Sequence, residues 1–386
     1  MIRVGGPTAP DYASGSLADV LPSVCASLGV PSVTGAAGWA GPLALPAARR
    51  AVVVLVDGLG ARQLARRLGH APWLRSQTGG TRTLVSGFPS TTATSMGSFG
   101  TGSHPGTHGM LGYEVLDPER DQVFNELSWE DGPVPEHWQP RTTWFERAAA
   151  AGLGVVRIGP GFFDGSGLTQ AALRGGRFAA ARSLPERVDA ALAAVRATPR
   201  GLVYLYWGDV DKLGHVHGPE SLEWTSELEA VDRELARLAA GLPDDTSLTV
   251  TADHGMLACP HETRLDVADE PSLRLGVRHL GGEPRTTHVY CLPGAVDDVA
   301  ATWSAVLGAR AWVGRRDEAV AAGLFGVVEP EHRARIGDLV VVAGGDFTIV
   351  ESGRMRPQLL ALQGMHGALS GEELDVPVVH VPARVA

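Results

Sequence analysis

The sequence predicts an α/β fold, a three-layer sandwich with a largely parallel central sheet and a cap-like insertion. Short runs of apolar and β-branched residues, typical of strands buried on both faces of a parallel sheet, alternate with segments of helical periodicity. The chain has 386 residues, of which 44% are hydrophobic and 20% charged, so it can bury the large core that such a sheet needs.

Three apolar runs are the predicted strands, and each is followed within a few residues by Asp. They are 51–56 (AVVVLV), 201–206 (GLVYLY) and 247–251 (SLTVT). The predicted helices, 185–196 and 220–240, carry apolar residues at helical spacing. This alternation indicates a doubly wound sheet, in which ligands bind beyond the carboxyl ends of the strands. We therefore expect Asp57, Asp211 and Asp253 to meet at that edge.

The rest of the chain suggests a core and an insertion. We expect residues 1–50 to pack on the core as an N-terminal segment, and residues 51–258 and 365–386 to form a metal-binding α/β core domain. Residues 259–364 mix two predicted strands (287–292 and 339–343) and a predicted helix (296–307) with Gly and Pro turns. We interpret them as the cap-like insertion.

Charge and cysteine content exclude several classes of function. The net charge of -10 argues against long nucleic acids as partners, because their binders need a basic surface. Cys25, Cys259 and Cys291 lie far apart and in no CxxC pattern, so we expect reduced, buried thiols. The N-terminal sequence does not resemble a signal peptide and no apolar run has the length of a membrane span, which predicts a cytoplasmic location without a membrane partner.

Two motifs combine carboxylate and imidazole side chains. In DVDKLGHVH, Asp211 and His215 are four residues apart, so on a helix they would share a face and could chelate one cation. Asp209 and His217 are neighbouring alternatives, and a surface pair is the commoner outcome for such spacing alone.

The second motif is ADHGM, in which Asp253 and His254 directly follow a predicted strand and could turn toward one ion. His366, between two glycines in GMHGAL, adds an imidazole; alone it is more often structural. Together these side chains form mixed nitrogen and oxygen ligand sets typical of zinc, with manganese as the alternative. Two such ions recur in enzymes that cleave phosphoesters.

The stretch GFPSTTATSMGSFGTG, residues 87–102, supplies hydroxyls and glycines where a core segment would carry Leu and Val. It resembles the nucleophile segment of the alkaline phosphatase superfamily, most closely of the nucleotide pyrophosphatase/phosphodiesterase branch. That motif reads Pro-x-x-Thr followed by a helix ending in Thr-Gly, and alignment on Pro89 and Thr101 puts the nucleophile at Thr92. The VDG of 56–58, DxxxH, ADHGM and GxHG are also similar to family motifs and span most of the chain.

The resemblance implies a mechanism that uses two metal ions. One ion would be bound by Asp57, Asp253, His254 and the oxygen of Thr92, and the other by Asp211, His215 and His366. A small-molecule phosphodiester or nucleotide would then be hydrolysed through a phosphothreonine intermediate. A threonine hydroxyl needs the metal and a helix N-terminus to become an effective nucleophile. Thr91 and Ser90 are the structural competitors of Thr92 in this segment. Either is an acceptable N-cap for the helix.

The sequence departs from the branch at the expected phosphoryl contact. Members commonly have Asn there, whereas this chain has Tyr113, which we expect to bind substrate. No Arg or Lys falls within 87–112, which predicts a preference for diesters over the more highly charged monoesters. Three arginines of the predicted insertion are alternative sources of a cation: Arg264, Arg274 and Arg278.

Other activities of the superfamily remain open at this point. They are a phosphomonoesterase, a phosphonate hydrolase, a phosphosugar mutase and a non-catalytic ligand-binding relative. A sulfatase is disfavoured because the sequence has no CxPxR motif.

Overall fold

The computed structural model describes residues 6–35 and 38–384. Its strands are β1 (Arg50–Val56), β2 (Thr81–Val85), β3 (Glu114–Asp117), β4 (Gln122–Asn125), β5 (Gly154–Gly159), β6 (Arg177–Ala180), β7 (Gly201–Trp207), β8 (Thr246–Thr251), β9 (Leu257–Ala258), β10 (Arg264–Asp266), β11 (Val277–Glu283), β12 (Thr286–Cys291), β13 (Ala311–Arg315), β14 (Leu339–Ala343), β15 (Thr348–Val350), β16 (Gly364–Met365) and β17 (Asp375–Val381). Its α-helices are α1 (Val20–Ser27), α2 (Ala61–Arg67), α3 (Pro72–Ser76), α4 (Thr92–Thr101), α5 (Pro105–His108), α6 (Pro135–Trp138), α7 (Trp144–Ala150), α8 (Gly167–Ala172), α9 (Leu184–Ala197), α10 (Asp209–His217), α11 (Leu222–Gly241), α12 (Val296–Leu307), α13 (Arg316–Ala321), α14 (Pro357–Leu360) and α15 (Gly371–Leu374).

The central sheet has seven strands in the order β2-β17-β8-β1-β7-β5-β6. Strands β8, β1, β7, β5 and β6 pair in parallel, while β17 is antiparallel to both of its neighbours. The predicted largely parallel sheet is therefore confirmed. The three predicted strands are β1, β7 and β8, each one residue longer than expected.

The register of the central strands brings their carboxyl ends to one edge. The last residue of β1 pairs with Trp207 of β7, and Leu55 pairs with Thr251 of β8. Strand β1 lies in the middle of the sheet, and its residues from 51 to 56 are all buried, as expected for a strand covered on both faces. Asp57 and Asp253 consequently leave neighbouring strands side by side.

Helix α4 packs so closely against its neighbours that two of its positions have room only for glycine. A Cβ atom on Gly97 would lie 2.5 Å from the His108 ring, and one on Gly100 would lie 1.8 Å from a backbone carbonyl oxygen of α8. The helix ends at Thr101, and Gly102 caps it at φ +66°, a left-handed conformation that favours glycine. The predicted helix ending in Thr-Gly is thus present.

A second hydrophobic cluster lies outside the central sheet. It is built on the antiparallel sheet β11-β12-β14-β13, and helix α12 packs Val299 and Trp303 into it. The predicted strands at 287–292 and 339–343 correspond to β12 and β14. The division into a core and an insertion over 259–364 stays a prediction, because Phe325, Val340 and Val342 of this range belong to the main hydrophobic cluster.

The N-terminal helix α1 buries Leu21 and Val24 in the main hydrophobic cluster, together with Cys25. Like Cys25, both Cys259 and Cys291 are buried and form no disulfide, as expected. Within residues 6–35 and 38–384, no helix is both long and apolar enough to cross a membrane.

Candidate active site

The ends of β1 and β8 and the start of α4 form one cluster of candidate ligands. The Nε2 atom of His254 lies 3.5 Å from an oxygen of Asp57 and 3.5 Å from an oxygen of Asp253. The same atom is 3.2 Å from the Thr92 hydroxyl. The four residues predicted to share one ion therefore converge on a single point.

Helix α10 and the loop after β16 form the second cluster. Asp211 and His215 lie one turn apart on α10, with 3.4 Å between the carboxylate and Nε2. The Nε2 atom of His366 is 3.2 Å from that of His215 and 3.9 Å from the other Asp211 oxygen. These are the three residues that the sequence assigns to the second ion.

The two clusters adjoin each other. The rings of His254 and His366 stack with their centroids 3.7 Å apart. Ligand atoms of Asp57, Asp253 and His254 lie within 4.8 Å of one another, and so do those of Asp211, His254 and His366. His254 therefore stands between the two groups, as expected for a site that holds a pair of ions. Asp209 and His217, the alternatives on α10, belong to neither group.

Backbone carbonyl oxygens orient all three imidazoles. The Nδ1 atoms of His215, His254 and His366 lie 2.7, 3.0 and 2.8 Å from carbonyl oxygens of Gly364, Gly255 and Ser90, in that order. A carbonyl can only accept, so each Nδ1 carries the proton and each Nε2 presents a lone pair to the site. Two Nε2 lone pairs facing each other at 3.2 Å repel unless a cation lies between them.

The carboxylates also have free ligand atoms. Within the described part of the chain, one buried oxygen each of Asp57, Asp211 and Asp253 has no hydrogen-bond partner. The other oxygen of Asp57 accepts a hydrogen bond from the Tyr206 hydroxyl at 2.5 Å. Buried polar atoms without partners are costly, and metal coordination would satisfy all three. The residues present therefore fit a pair of divalent ions.

Burial and mutual repulsion affect protonation at the site. Burial raises the pKa of Asp57 well above its usual range, and the nearby Asp253 and Asp211 carboxylates raise it further. Burial also raises the pKa of Asp253. The pKa of His366 is lowered well below its usual value by burial and by His254 and His215, so this imidazole is neutral. A neutral imidazole beside crowded carboxylates is the environment that a divalent cation stabilises.

The geometry distinguishes among the three hydroxyls of the nucleophile segment. Thr92 is the first residue of α4, and its hydroxyl faces His254. Thr91 occupies the N-cap position, although its side chain makes no capping hydrogen bond. Ser90 is engaged structurally, since it donates to the Ala368 carbonyl oxygen at 2.8 Å. Thr92 is thus the hydroxyl that adjoins the metal-ligand cluster.

Tyr113 lies where two cavities meet. A cavity of about 240 Å³ is lined by Thr92, Asp211, His215, His366 and Tyr113. A larger cavity, of about 580 Å³, is lined by Tyr113 together with residues of β11 and of the segment around α14. A side chain shared by both cavities is suitably located to contact substrate, and that role of Tyr113 stays a prediction.

Two residues near the site were not predicted. The Tyr206 hydroxyl donates a hydrogen bond to Asp57. The only sequence signal for this residue is its position near the end of the apolar run of β7. Glu283, at the end of β11, lines both cavities. No motif marks it, because its strand comes from a distant part of the chain.

Carboxylates, imidazoles and a helix-start threonine thus meet at one edge of the parallel sheet. The family model for type I phosphodiesterase / nucleotide pyrophosphatase matches residues 51–369. The protein therefore belongs to this family, within the alkaline phosphatase superfamily.

Solved structures show the same fold. Murine ectonucleotide pyrophosphatase/phosphodiesterase 5 has a TM-score of 0.70 at 19% identity, covering 85% of this chain and 87% of that one. Phosphonoacetate hydrolase from Sinorhizobium meliloti 1021, in complex with phosphonoformate, has a TM-score of 0.67 at 21% identity over 91% and 92% of the two chains. The predicted α/β class is confirmed.

Curated relatives match over a short region only. Ectonucleotide pyrophosphatase/phosphodiesterase family member 7 from Mus musculus is 42% identical over 60 residues, which is 14% of this chain and 14% of the relative. The Homo sapiens protein is 36% identical over 74 residues, or 18% and 16% of the two chains.

Proposed function

We propose that this protein is a two-metal phosphodiesterase or nucleotide pyrophosphatase that acts through a phosphothreonine intermediate on Thr92. The observation that carries the proposal is the convergence of three unpartnered carboxylate oxygens and three Nε2 atoms beside the Thr92 hydroxyl. Zinc is the preferred ion for such ligands, and manganese is the alternative. A small-molecule phosphate ester or nucleotide is the proposed substrate class.

The residues have separate roles in this scheme. Asp57, Asp253, His254 and Thr92 would hold one ion, and Asp211, His215 and His366 the other. When bound, such ions would lower the pKa of coordinated hydroxyl groups and neutralise charge on the phosphoryl oxygens.

The Thr92 oxygen attacks phosphorus in line, and the bond to the leaving alcohol breaks. Water then attacks the same phosphorus and releases the Thr92 oxygen. The N-terminus of α4, whose first residue is Thr92, stabilises the anionic group through its free backbone N–H groups. Tyr113 contacts the substrate where the two cavities meet.

The charges around Thr92 favour a diester. Among the described residues that line the 240 Å³ cavity, none is Lys or Arg. The three arginines considered from the sequence are engaged elsewhere. Arg264 donates to the backbone of Leu360, Arg274 pairs with Glu351, and Arg278 pairs with Asp121. A monoester dianion would therefore depend on the two ions and the helix N-terminus alone.

The proposal is tested by measuring kcat/KM in parallel on a nitrophenyl nucleotide diester and on nitrophenyl phosphate, with zinc-loaded and manganese-loaded enzyme. We expect the diester to be the better substrate. A monoester preference above about tenfold, or about 1.4 kcal/mol of transition-state discrimination, would instead identify a phosphatase.

A further inference from the structure

Glu283 is a buried carboxyl group that the fold does not use. Its side chain lies at the end of β11, and the residue is only 8% exposed. Neither carboxyl oxygen has a hydrogen-bond partner within residues 6–35 and 38–384. The residue lines the cavity that contains Thr92 and also the larger one. An unpartnered carboxyl that lines both cavities is available to a substrate group bound in either one.

The basic side chains nearby are already paired. Arg285, two residues further along, binds both carboxylate oxygens of Glu373, at 3.0 and 2.9 Å. Arg354 of the larger cavity lies 2.7 Å from Glu114 and 3.3 Å from Glu351. Neither arginine is therefore paired with Glu283.

The position of Glu283 is fixed by close packing. A Cβ atom on Gly367 would lie 2.6 Å from Cγ of Glu283, so the side chain crosses directly over that glycine. The hydroxyl of Thr286, at the start of β12, donates to the Gly367 carbonyl oxygen at 2.7 Å. Gly367 directly follows His366, so these contacts hold the β11-β12 hairpin against the loop that carries a candidate metal ligand.

Four glutamates and two arginines line the larger cavity: Glu114, Glu130, Glu283, Glu351, Arg354 and Arg356. Of these glutamates, Glu114, Glu130 and Glu351 are paired with arginines, whereas Glu283 forms no ion pair with a described residue. Burial raises the pKa of Glu283 well above its usual range, and the adjacent Thr91 side chain lowers it by less. Such a carboxyl has unused hydrogen-bonding capacity.

We propose that Glu283 determines specificity by binding a hydrogen-bond donor, a hydroxyl or ammonium group, on the ester group that stays attached to phosphorus. This inference rests on the proposed function, because it assumes that a phosphodiester occupies the Thr92 cavity. Short substituents are the ones to test first, since Glu283 and Thr92 line the same cavity.

Binding can be measured without turnover. Zinc-loaded Thr92→Ala protein is titrated calorimetrically with four nitrophenyl phosphodiesters whose second group is ethyl, 2-hydroxyethyl, 2-aminoethyl or carboxymethyl. We expect the 2-hydroxyethyl or the 2-aminoethyl ester to bind at least about tenfold more tightly than the ethyl ester, since a hydrogen bond to a buried acidic group is worth about that much. The carboxymethyl ester, whose carboxylate offers no hydrogen-bond donor, should show no such gain over the ethyl ester.

Substitutions assign the preference to Glu283. Adding Glu283→Leu should reduce the ratio between the donor-bearing ester and the ethyl ester to about one. Glu283→Gln separates the two donors, because an amide accepts from a hydroxyl but does not neutralise an ammonium group. Glu114→Gln is the matched control; it removes a carboxylate that is paired with Arg354, and the ratio should not change.

A donor preference that survives Glu283→Leu, or a carboxymethyl ester that binds as tightly as the donor-bearing esters, would overturn the inference. Glu283→Leu should also raise the melting temperature, because it removes a buried group without a partner. A lower melting temperature would show that the carboxyl has a structural role and would equally overturn it. If wild-type enzyme hydrolyses none of the four esters while the binding ratio persists, the proposed function fails and the inference about Glu283 stands.

Discussion

The Nδ1 atom of His366 lies 2.8 Å from the carbonyl oxygen of Ser90, two residues before Thr92. The backbone N–H of Gly367 also donates to the Ser90 hydroxyl, at 3.1 Å. The loop that carries a candidate ligand of one ion is therefore fastened to the segment that carries the proposed nucleophile. These hydrogen bonds orient both parts of the site before any ion binds, which reduces the cost of assembling it.

His215→Gln should reduce the number of tightly bound ions from two to one. The other ion should remain, because Asp57, Asp253 and His254 come from the ends of β1 and β8 and not from α10. Elemental analysis of zinc-reconstituted protein checks the stoichiometry, and activity should fall by at least about 100-fold.

His217→Gln is the matched control for that experiment. This histidine lies two residues further along α10, is exposed and belongs to neither candidate ligand group. The control should bind two ions and keep its activity. Equal metal content in the two variants would contradict the assignment of His215 to a metal site.

Thr92→Ala should lower kcat by at least about 10³-fold, because the attacking oxygen is removed. The ion held by Asp211, His215 and His366 should still bind, since none of these ligands comes from α4. Thr92→Ser, which keeps a hydroxyl, should retain part of the activity.

Thr91→Ala serves as the comparison, because Thr91 precedes the helix and its hydroxyl makes no capping hydrogen bond. We expect a far milder loss of kcat. If Thr91→Ala abolished turnover and Thr92→Ala did not, the nucleophile would lie one residue earlier.

His288→Gln should make the protein less sensitive to acid. Burial lowers the pKa of His288 to about 4, against 6.5 for an exposed histidine. The unfolded chain therefore takes up the proton first, and stability that is complete above pH 6.5 is lost as the pH falls toward 4. The expected loss from this residue is about 3 kcal/mol in the free energy of unfolding. Glutamine can still donate to Leu111 and accept from Gly337, the partners of the imidazole.

Urea denaturation at pH 7 and pH 4, with chelator present to remove metal effects, measures the difference. The free energy of unfolding should fall less between pH 7 and pH 4 in His288→Gln than in the wild type, by about 3 kcal/mol. His137→Gln, at an exposed position, should follow the wild type. Parallel pH profiles for wild type and His288→Gln would show that His288 does not contribute.

Much of the fold and of the proposed metal site follows from local sequence signals. The apolar runs of β1, β7 and β8 predict a buried parallel sheet, and this topology brings Asp57 and Asp253 to one edge. The four-residue spacing of Asp211 and His215 is enough to predict that the two side chains share a face, because α10 is a regular helix. In each case, one element of regular structure fixes where the side chain points.

The remaining features depend on contacts between distant segments. Glu283 reaches the Thr92 cavity only because the β11-β12 hairpin docks on the loop of His366, and no periodicity encodes that docking. The involvement of Tyr206 depends on its hydroxyl reaching Asp57 from the adjacent strand. The pairing of Arg274 with Glu351 also depends on the tertiary fold. From the sequence alone, Arg274 is a possible source of a cation for the substrate.

The stereochemical course at phosphorus tests the central claim most directly. A phosphorothioate diester of known configuration is hydrolysed in ¹⁸O-labelled water, and the configuration of the product is determined. Attack by Thr92 and then by water gives two in-line displacements, each with inversion, so the account predicts net retention. Net inversion would mean that water attacks the substrate directly, and it would contradict a covalent intermediate on Thr92.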